Sequence, residues 1–388
     1  MWHGNEGHWV ANKTPGAHGG DIFKSEFDVD MCPDLVTAGW TDGSSFQCQD
    51  VAATTAAPPS TGAPDMPEVD PNLPDFNNLD YTFECAESNE AGLDSRYQKC
   101  TLTTENGWVF HGREKGGVVE FQPIRYGVSP EGDNRWKAPI INYDYPEPTN
   151  GHLNERIMCR QGNAGQEDCL FMSIAVKKEY IKNKTKVPIL YHIHGGGFTS
   201  GSGMNASTKA ALYQDVMVVG VNYRLGNWGF FYLNEKEDDQ DWQGNWGLLD
   251  QQAGLKWLHS FAGIFGGDKN MVTLTGGSAG SESCWRQFTI PGSWPYFHQM
   301  APVGIGLLTG IKSPHKIERL SNAFFQEAGC DLNDMDCMRA IPDANILDIA
   351  NKAGNAMRFD DVAMVLNGSF APTHRSDLNF LDPFTVHY

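Results

Sequence analysis

Apolar positions follow two rhythms along this chain. Short unbroken runs occur at "GVVEF" (117–121), "VPILYHIH" (187–194), "VMVVGVNY" (216–223) and "MVTLT" (271–275). They predict strands, and the second and third have the continuous β-branched character of strands buried on both faces. Between them, "GLLDQQAGLKWLHSF" (247–261) puts Leu248, Leu255 and Leu258 on one helical face, with Leu249, Ala253 and Trp257 beside it. A further helix is expected from Ala279. Strands alternating with helices argue for an α/β fold around a mostly parallel central sheet. No internal repeat is visible.

Upstream the rhythm is lost. Residues 1–50 hold few periodic segments but many Gly, Asp and Trp, and no fold is predicted for them. Residues 51–77 then carry six prolines between Pro58 and Pro74. Such a composition buries too little surface to offset its ordering entropy, so an extended acidic linker is expected there, with the main domain over 78–388. The 388 residues include 21 Phe, 12 Tyr and 11 Trp, ample material for a core. The formal charge of −19 is concentrated at one end, where residues 1–100 hold 17 acidic side chains against four Lys and Arg. That field repels nucleic acid and anionic membranes and argues against both as partners. No apolar run reaches the roughly 18 residues of a spanning helix. The opening "MWHGNEGHWV" has neither the basic start nor the apolar core of a secretion signal.

Nine cysteines change the picture of the compartment. Cys159 lies near Cys169 and Cys330 near Cys337, with a looser group at Cys32, Cys48, Cys85 and Cys100. None forms a CxxC pair and no histidine sits at zinc-finger spacing, which argues against a metal site. Disulfides in an oxidising compartment are expected instead, with Cys284 left as a buried thiol. Four N-x-[ST] triplets, at Asn12, Asn183, Asn205 and Asn367, point the same way, to the secretory pathway or the cell exterior.

Candidate chemistry centres on Gly276-Gly277-Ser278-Ala279-Gly280, a G-x-S-x-G pentapeptide between a predicted strand and a predicted helix. Such a turn holds its serine in an unfavourable backbone conformation at the carboxyl end of the sheet, while the glycines let strand and helix approach closely. The helix N-terminus then directs N–H groups at negative charge developing near the hydroxyl. Gly-rich turns without chemistry share this pattern. A second element narrows the reading: His194-Gly195-Gly196-Gly197-Phe198 follows the "VPILYHI" strand. Ester cleavage passes through a tetrahedral oxyanion, which needs preorganised donors about 3 Å away. Successive glycines let backbone N–H groups turn inward without interference from Cβ. His194 itself is expected to pack the loop.

From about Gly107 onward the chain resembles the type B carboxylesterase and cholinesterase family of α/β-hydrolases. The matching blocks are "NRWKAP" (134–139), "QEDCLFMSIAV" (166–176), "VPILYHIHGGGFTSGS" (187–202), "VVGVNYRLGNWGF" (218–230) and "GNWGLLDQQAGLKWL" (244–258). "FAGIFGGDKNMVTLTGGSAG" (261–280), "IPGSWPYFH" (290–298) and "EAGCDLNDMDCMRAIP" (327–342) continue the set, and residues 1–100 lie outside it. The resemblance implies an α/β-hydrolase fold, Ser278 as nucleophile, and the N–H groups of Gly196, Gly197 and Ala279 as oxyanion donors. It implies disulfides Cys159–Cys169 and Cys330–Cys337, and structural ion pairs Arg135–Glu167 and Arg224–Asp250. It also implies acyl-enzyme chemistry on a small-molecule or lipid carboxylic ester, without metal or organic cofactor.

The same resemblance places the acid and histidine of the triad far beyond the elbow, and the tail "FAPTHRSDLNFLDPFTVHY" resembles the segment just before the acid. An incomplete domain lacking its last strands, and nearly inactive by itself, is therefore expected. His259, His298, His315, His374 and His387 are poor substitutes for the base. Gly277 stands where many relatives carry an acid, and the loop "RQGNAGQED" (160–168) has no aromatic residue for a quaternary ammonium, which disfavours choline esters. The alternative reading is a non-catalytic, neuroligin-like adhesion member of the same fold. A binding module within residues 1–50 is a third.

Overall fold

The computed structural model describes residues 67–88, 93, 95–149, 157–204, 206–232, 244–304 and 314–356, with two short strands near the start. The chain divides into two compact units, Met1–Pro64 and Asp65–Tyr388. In the first, β1 (Trp2–His3) and β2 (His8–Trp9) pair antiparallel, Trp2 opposite Trp9. Cys32, Cys48, Asn12, Asn205, Asn367, His374, His387 and most of the linker lie outside the described residues.

The second unit is built on nine strands: β3 (Tyr81–Glu87), β4 (Gln98–Thr104), β5 (Val109–Lys115), β6 (Val118–Arg125), β7 (Phe171–Lys177), β8 (Val187–Ile193), β9 (Met217–Val221), β10 (Gly267–Gly277) and β11 (Gln299–Val303). They lie in the order β3-β4-β5-β6-β7-β9-β8-β10-β11. The pairs β9–β8, β8–β10 and β10–β11 are parallel; the five pairs from β3 to β9 are antiparallel. Among the described strands the sheet is thus mixed rather than mostly parallel. Hairpins explain the difference. Lys115 and Val118 are joined through Gly116 (φ 64°) and Gly117 (φ 89°), the left-handed pair that a two-residue hairpin needs.

The strands β3 to β5, unread in the sequence, mix polar and apolar residues; β4 and β5 alternate half-buried with buried positions, and β3 half-buried with exposed ones. They lack the unbroken burial of β6, β7 and β9, which are covered on both faces. Cys85 and Cys100 are register partners on β3 and β4, and their disulfide ties the outermost strand to its neighbour.

Parallel neighbours need crossovers, and the helices supply them. After α1 (Lys178–Lys182), α2 (Thr208–Gln214) links β8 to β9, α3 (Gly226–Phe230) and α4 (Trp246–Phe261) precede β10, and α5 (Ala279–Phe288) leads to β11. Three more helices follow: α6 (Pro314–Ala328), α7 (Met335–Arg339) and α8 (Asp343–Ala356). The expected helix over 247–261 is α4, whose Leu248, Leu255, Trp257 and Leu258 are all buried.

Phe261 at the end of α4 gathers aromatic rings, with Trp257 stacked at 4.5 Å and Phe76 at 4.7 Å. Phe76 and Asn77 come from the Pro-rich stretch expected as linker. The Asn77 side chain donates to the His259 carbonyl at 2.7 Å and accepts from the Gly263 N–H at 2.7 Å. The last residues of that stretch are therefore packed within the second unit. No helix among the described residues is long and apolar enough to cross a membrane.

Candidate active site

Strand β10 ends at Gly277, helix α5 begins at Ala279, and Ser278 stands between them with φ 56° and ψ −124°. An L-residue is strained there, and such strain persists only where its surroundings over-determine it. The neighbours provide that constraint. A methyl group on Gly276 would lie 2.5 Å from the Ile193 carbonyl oxygen, and one on Gly280 only 2.1 Å from the same atom. Both contacts are with backbone at the end of β8, so both glycines are obligatory for close approach. At Gly277 the nearest atom would be 3.7 Å away, so the position before the serine is open. Ser278 itself is exposed.

The glycine loop lies directly against this elbow. A Cβ on Gly195 would fall 3.3 Å from Ser278 Cβ. Gly196 (φ 111°) and Gly197 (φ 61°) take left-handed conformations and are exposed. The Gly196 carbonyl accepts from the N–H groups of Thr199 and Ser200, closing a tight turn. Among the described residues, the N–H groups of Gly196 and Gly197 have no acceptor. Phe198 turns inward to meet Phe230 at 5.4 Å, and its carbonyl accepts from the Gly226 N–H at 2.7 Å.

His194 packs the loop, as expected. Its Nδ1 lies 2.8 Å from the Gly195 carbonyl oxygen, its ring stacks on Tyr223 at 4.4 Å, and the Tyr223 hydroxyl donates to its carbonyl at 2.9 Å. Burial pulls the imidazole down to about 4, so it is neutral near pH 7. Of the other candidate histidines, the two whose side chains are described, His298 and His259, do not reach the elbow. His298 precedes β11 and accepts from the Val272 N–H, five residues before the carboxyl end of β10. His259 packs edge-on against Tyr296, and burial, then Lys269, hold it down to about 4. His315 lies within α6, its side chain outside the described set. Among the described residues no imidazole or carboxylate hydrogen-bonds to the Ser278 hydroxyl.

The surrounding scaffold is cross-linked at the positions the resemblance implied. Disulfides join Cys159 to Cys169 and Cys330 to Cys337, and Cys284 is a buried thiol pushed up to about 12 by burial. Arg135 grips Glu167 through two bonds of 2.9 and 2.5 Å. Its remaining nitrogen donates to the carbonyls of Arg339 and Ile341, tying the C-terminal helices to this loop. Burial pushes Glu167 up to about 7 despite the guanidinium. Arg224 meets fully buried Asp250 through Nε and Nη2, both at 2.8 Å.

Gln161 escaped the sequence reading, where the disulfide loop drew notice only for lacking an aromatic residue. Its carboxamide meets the backbone of Gly201 at the far end of the glycine loop. Tyr223 and Phe198 escaped too. No periodic signal marks any of the three, because each acts through a contact distant in sequence.

Comparison with known proteins places these features in a wider set. The model of the carboxylesterase family matches residues 100–381. The acylcarnitine hydrolase of Rattus norvegicus is 31% identical over 319 residues, covering 74% of this chain and 54% of that protein. The cAMP-regulated D2 protein of Dictyostelium discoideum is 31% identical over 292 residues, covering 71% and 52%. Among solved structures, a PNB esterase superposes with a TM-score of 0.59 at 26% identity, over 70% of this chain and 57% of that one. The chain spans about half the length of the curated relatives it matches.

Proposed function

The chain belongs to the carboxylesterase family, and from that premise we propose that Ser278 is the nucleophile of a carboxylic ester hydrolase. Its Oγ adds to the ester carbonyl carbon, and the N–H groups of Gly196, Gly197 and Ala279 receive the resulting oxyanion. Collapse of the tetrahedral intermediate breaks the ester C–O bond, the alcohol departs with a proton, and water then releases the acid from the acyl-enzyme. The observation that carries this reading is the strained Ser278 beside a loop whose two exposed N–H groups have no other acceptor among the described residues. The small size of the disulfide loop, with Gln161 turned to Gly201, favours simple carboxylic or lipid esters over choline esters.

The proton on Oγ has no acceptor among the described residues, so these residues form the acyl-binding half of the machinery. With the 388-residue chain, p-nitrophenyl butyrate is expected to acylate Ser278 slowly, with turnover near the buffer rate. Intact-mass spectrometry should find one butyryl group, mapped to the Ser278 peptide and lost in Ser278→Ala. Butyrylation elsewhere, or none after prolonged exposure, refutes the nucleophile assignment. The lack of a base at Ser278 among the described residues equally favours a non-catalytic adhesion member of the fold, and the same mass measurement decides between them.

We place the protein in the secretory pathway. Three disulfides support this, as does Asn183, exposed at the end of α1 within its N-K-T triplet. A glycosidase-sensitive mass on secretion from eukaryotic cells, reduced in Asn183→Gln, is the expected result.

A further inference from the structure

We propose that Gln161 is a positioning residue for the oxyanion loop, transmitting the rigidity of the Cys159–Cys169 disulfide to the N–H groups of Gly196 and Gly197. The inference rests on the esterase reading above and deepens it.

The loop after β8 is anchored at three places. His194 fixes its start through Tyr223, and Phe198 fixes its middle through Phe230 and Gly226. The third anchor is Gly201, which closes the loop on itself. A Cβ there would stand 2.6 Å from the Gly195 carbonyl oxygen. Both backbone groups of Gly201 are taken by one side chain: its N–H donates to Gln161 Oε1 at 2.9 Å, and its carbonyl accepts from Gln161 Nε2 at 2.7 Å. Only one orientation of a carboxamide satisfies both bonds, so the side chain sets position and angle together.

Gln161 is itself fixed. Its Nε2 also donates to the Cys159 carbonyl at 3.0 Å, and the Cys159 side chain is bonded to Cys169 and almost fully buried. A continuous path therefore runs from the disulfide through Gln161 and Gly201 to the base of the loop. The glycines that present the N–H groups carry no side chains that could anchor them. Oxyanion donors lose most of their effect when displaced by about an ångström, and removing one costs roughly 10²–10³ in rate. Gln161 touches neither the nucleophile nor the oxyanion; its role is to keep the donors at their working distance.

The test uses the full 388-residue chain with Gln161→Met, which keeps volume and loses both bonds, and Gln161→Glu, which keeps only an acceptor for the Gly201 N–H. The probe is n-butylboronic acid. Ser278 Oγ adds to its trigonal boron to give a tetrahedral boronate anion, and the serine proton passes to solvent; Ser278→Ala reports non-specific binding. Amide hydrogen exchange is followed in parallel. Gln161→Met should raise the boronate Kd about 10-fold and speed exchange of the Thr199, Ser200 and Gly201 amides, the loop N–H groups that have acceptors in the fold, at least 10-fold, with the unfolding midpoint and exchange in β8 and β10 unchanged. Gln161→Glu should fall between. Unchanged exchange and affinity in both variants overturn the proposal, as does an increase spread evenly over the unit, which marks a purely structural role. If the unmodified chain shows no Ser278-dependent boronate binding, the esterase reading fails and this role with it. If that binding is present and the variants match it, the positioning role alone fails.

Discussion

Replacing Gly280 by alanine sets two rules against each other. Gly280 lies in the first turn of α5, and helix propensity alone predicts a gain of about 1 kcal/mol from alanine. The added methyl, however, would stand 2.1 Å from the Ile193 carbonyl oxygen, 3.0 Å from its carbon and 3.1 Å from the His194 carbonyl carbon. All three are backbone atoms of β8 and the glycine loop, so no rotamer change relieves the contact. Overpacking of this kind costs about 1–3 kcal/mol, and a rigid backbone neighbour puts it at the upper end. The net expectation is a loss of about 2 kcal/mol, or roughly 4 °C in the unfolding midpoint of a unit this large. Gly277→Ala is the internal control. Its methyl would find its nearest neighbour at 3.7 Å, and the midpoint should stay within about 1 °C of the parent. Calorimetry on the two variants reads the difference directly. A Gly280→Ala protein as stable as the parent would refute the claim that close approach of β8 dictates the last glycine of the elbow.

Three further outcomes follow from the same geometry. Ser278→Gly should remove the strain of a non-glycine residue at φ 56° and stabilise the unit by about 1 kcal/mol in urea titration, while abolishing acylation. Asp250→Asn should cost about 3–5 kcal/mol, because it leaves the Arg224 guanidinium buried without its counter-charge; a urea midpoint unchanged from the parent would count against it. His194 is neutral in the fold, held down to about 4, whereas the unfolded chain binds a proton below about 6.5. Its contribution is therefore complete above pH 6.5 and is lost as pH falls toward 4, on the order of 3 kcal/mol. Stability measured across that window should fall less steeply in His194→Gln, and parallel curves would contradict the assignment.

These outcomes divide along the line between what the sequence displays and what only the fold supplies. The elbow is legible because its constraints are local: a strand, a strained serine and a helix occupy consecutive residues, and Gly276 and Gly280 mark where β8 must pass. The triple-glycine loop is legible for the same reason, since left-handed backbone at Gly196 and Gly197 excludes most side chains. Strands β3 to β5 are not, because an outer antiparallel strand needs only one covered face, so polar residues break up its apolar positions. The fate of Phe76 and Asn77 is hidden similarly: proline content describes local stiffness, whereas their burial depends on Phe261 and Gly263, about 190 residues away. Gln161 is the sharpest case. A carboxamide in a polar loop is the least informative of residues until the partner backbone is known, and here that partner is Gly201, the residue that closes the glycine loop. Chemistry that depends on donor placement is thus written in two scripts, glycines that permit the geometry and polar side chains that hold it. The permissive residues can be read from local pattern; the restraining ones become visible only when distant segments are brought together.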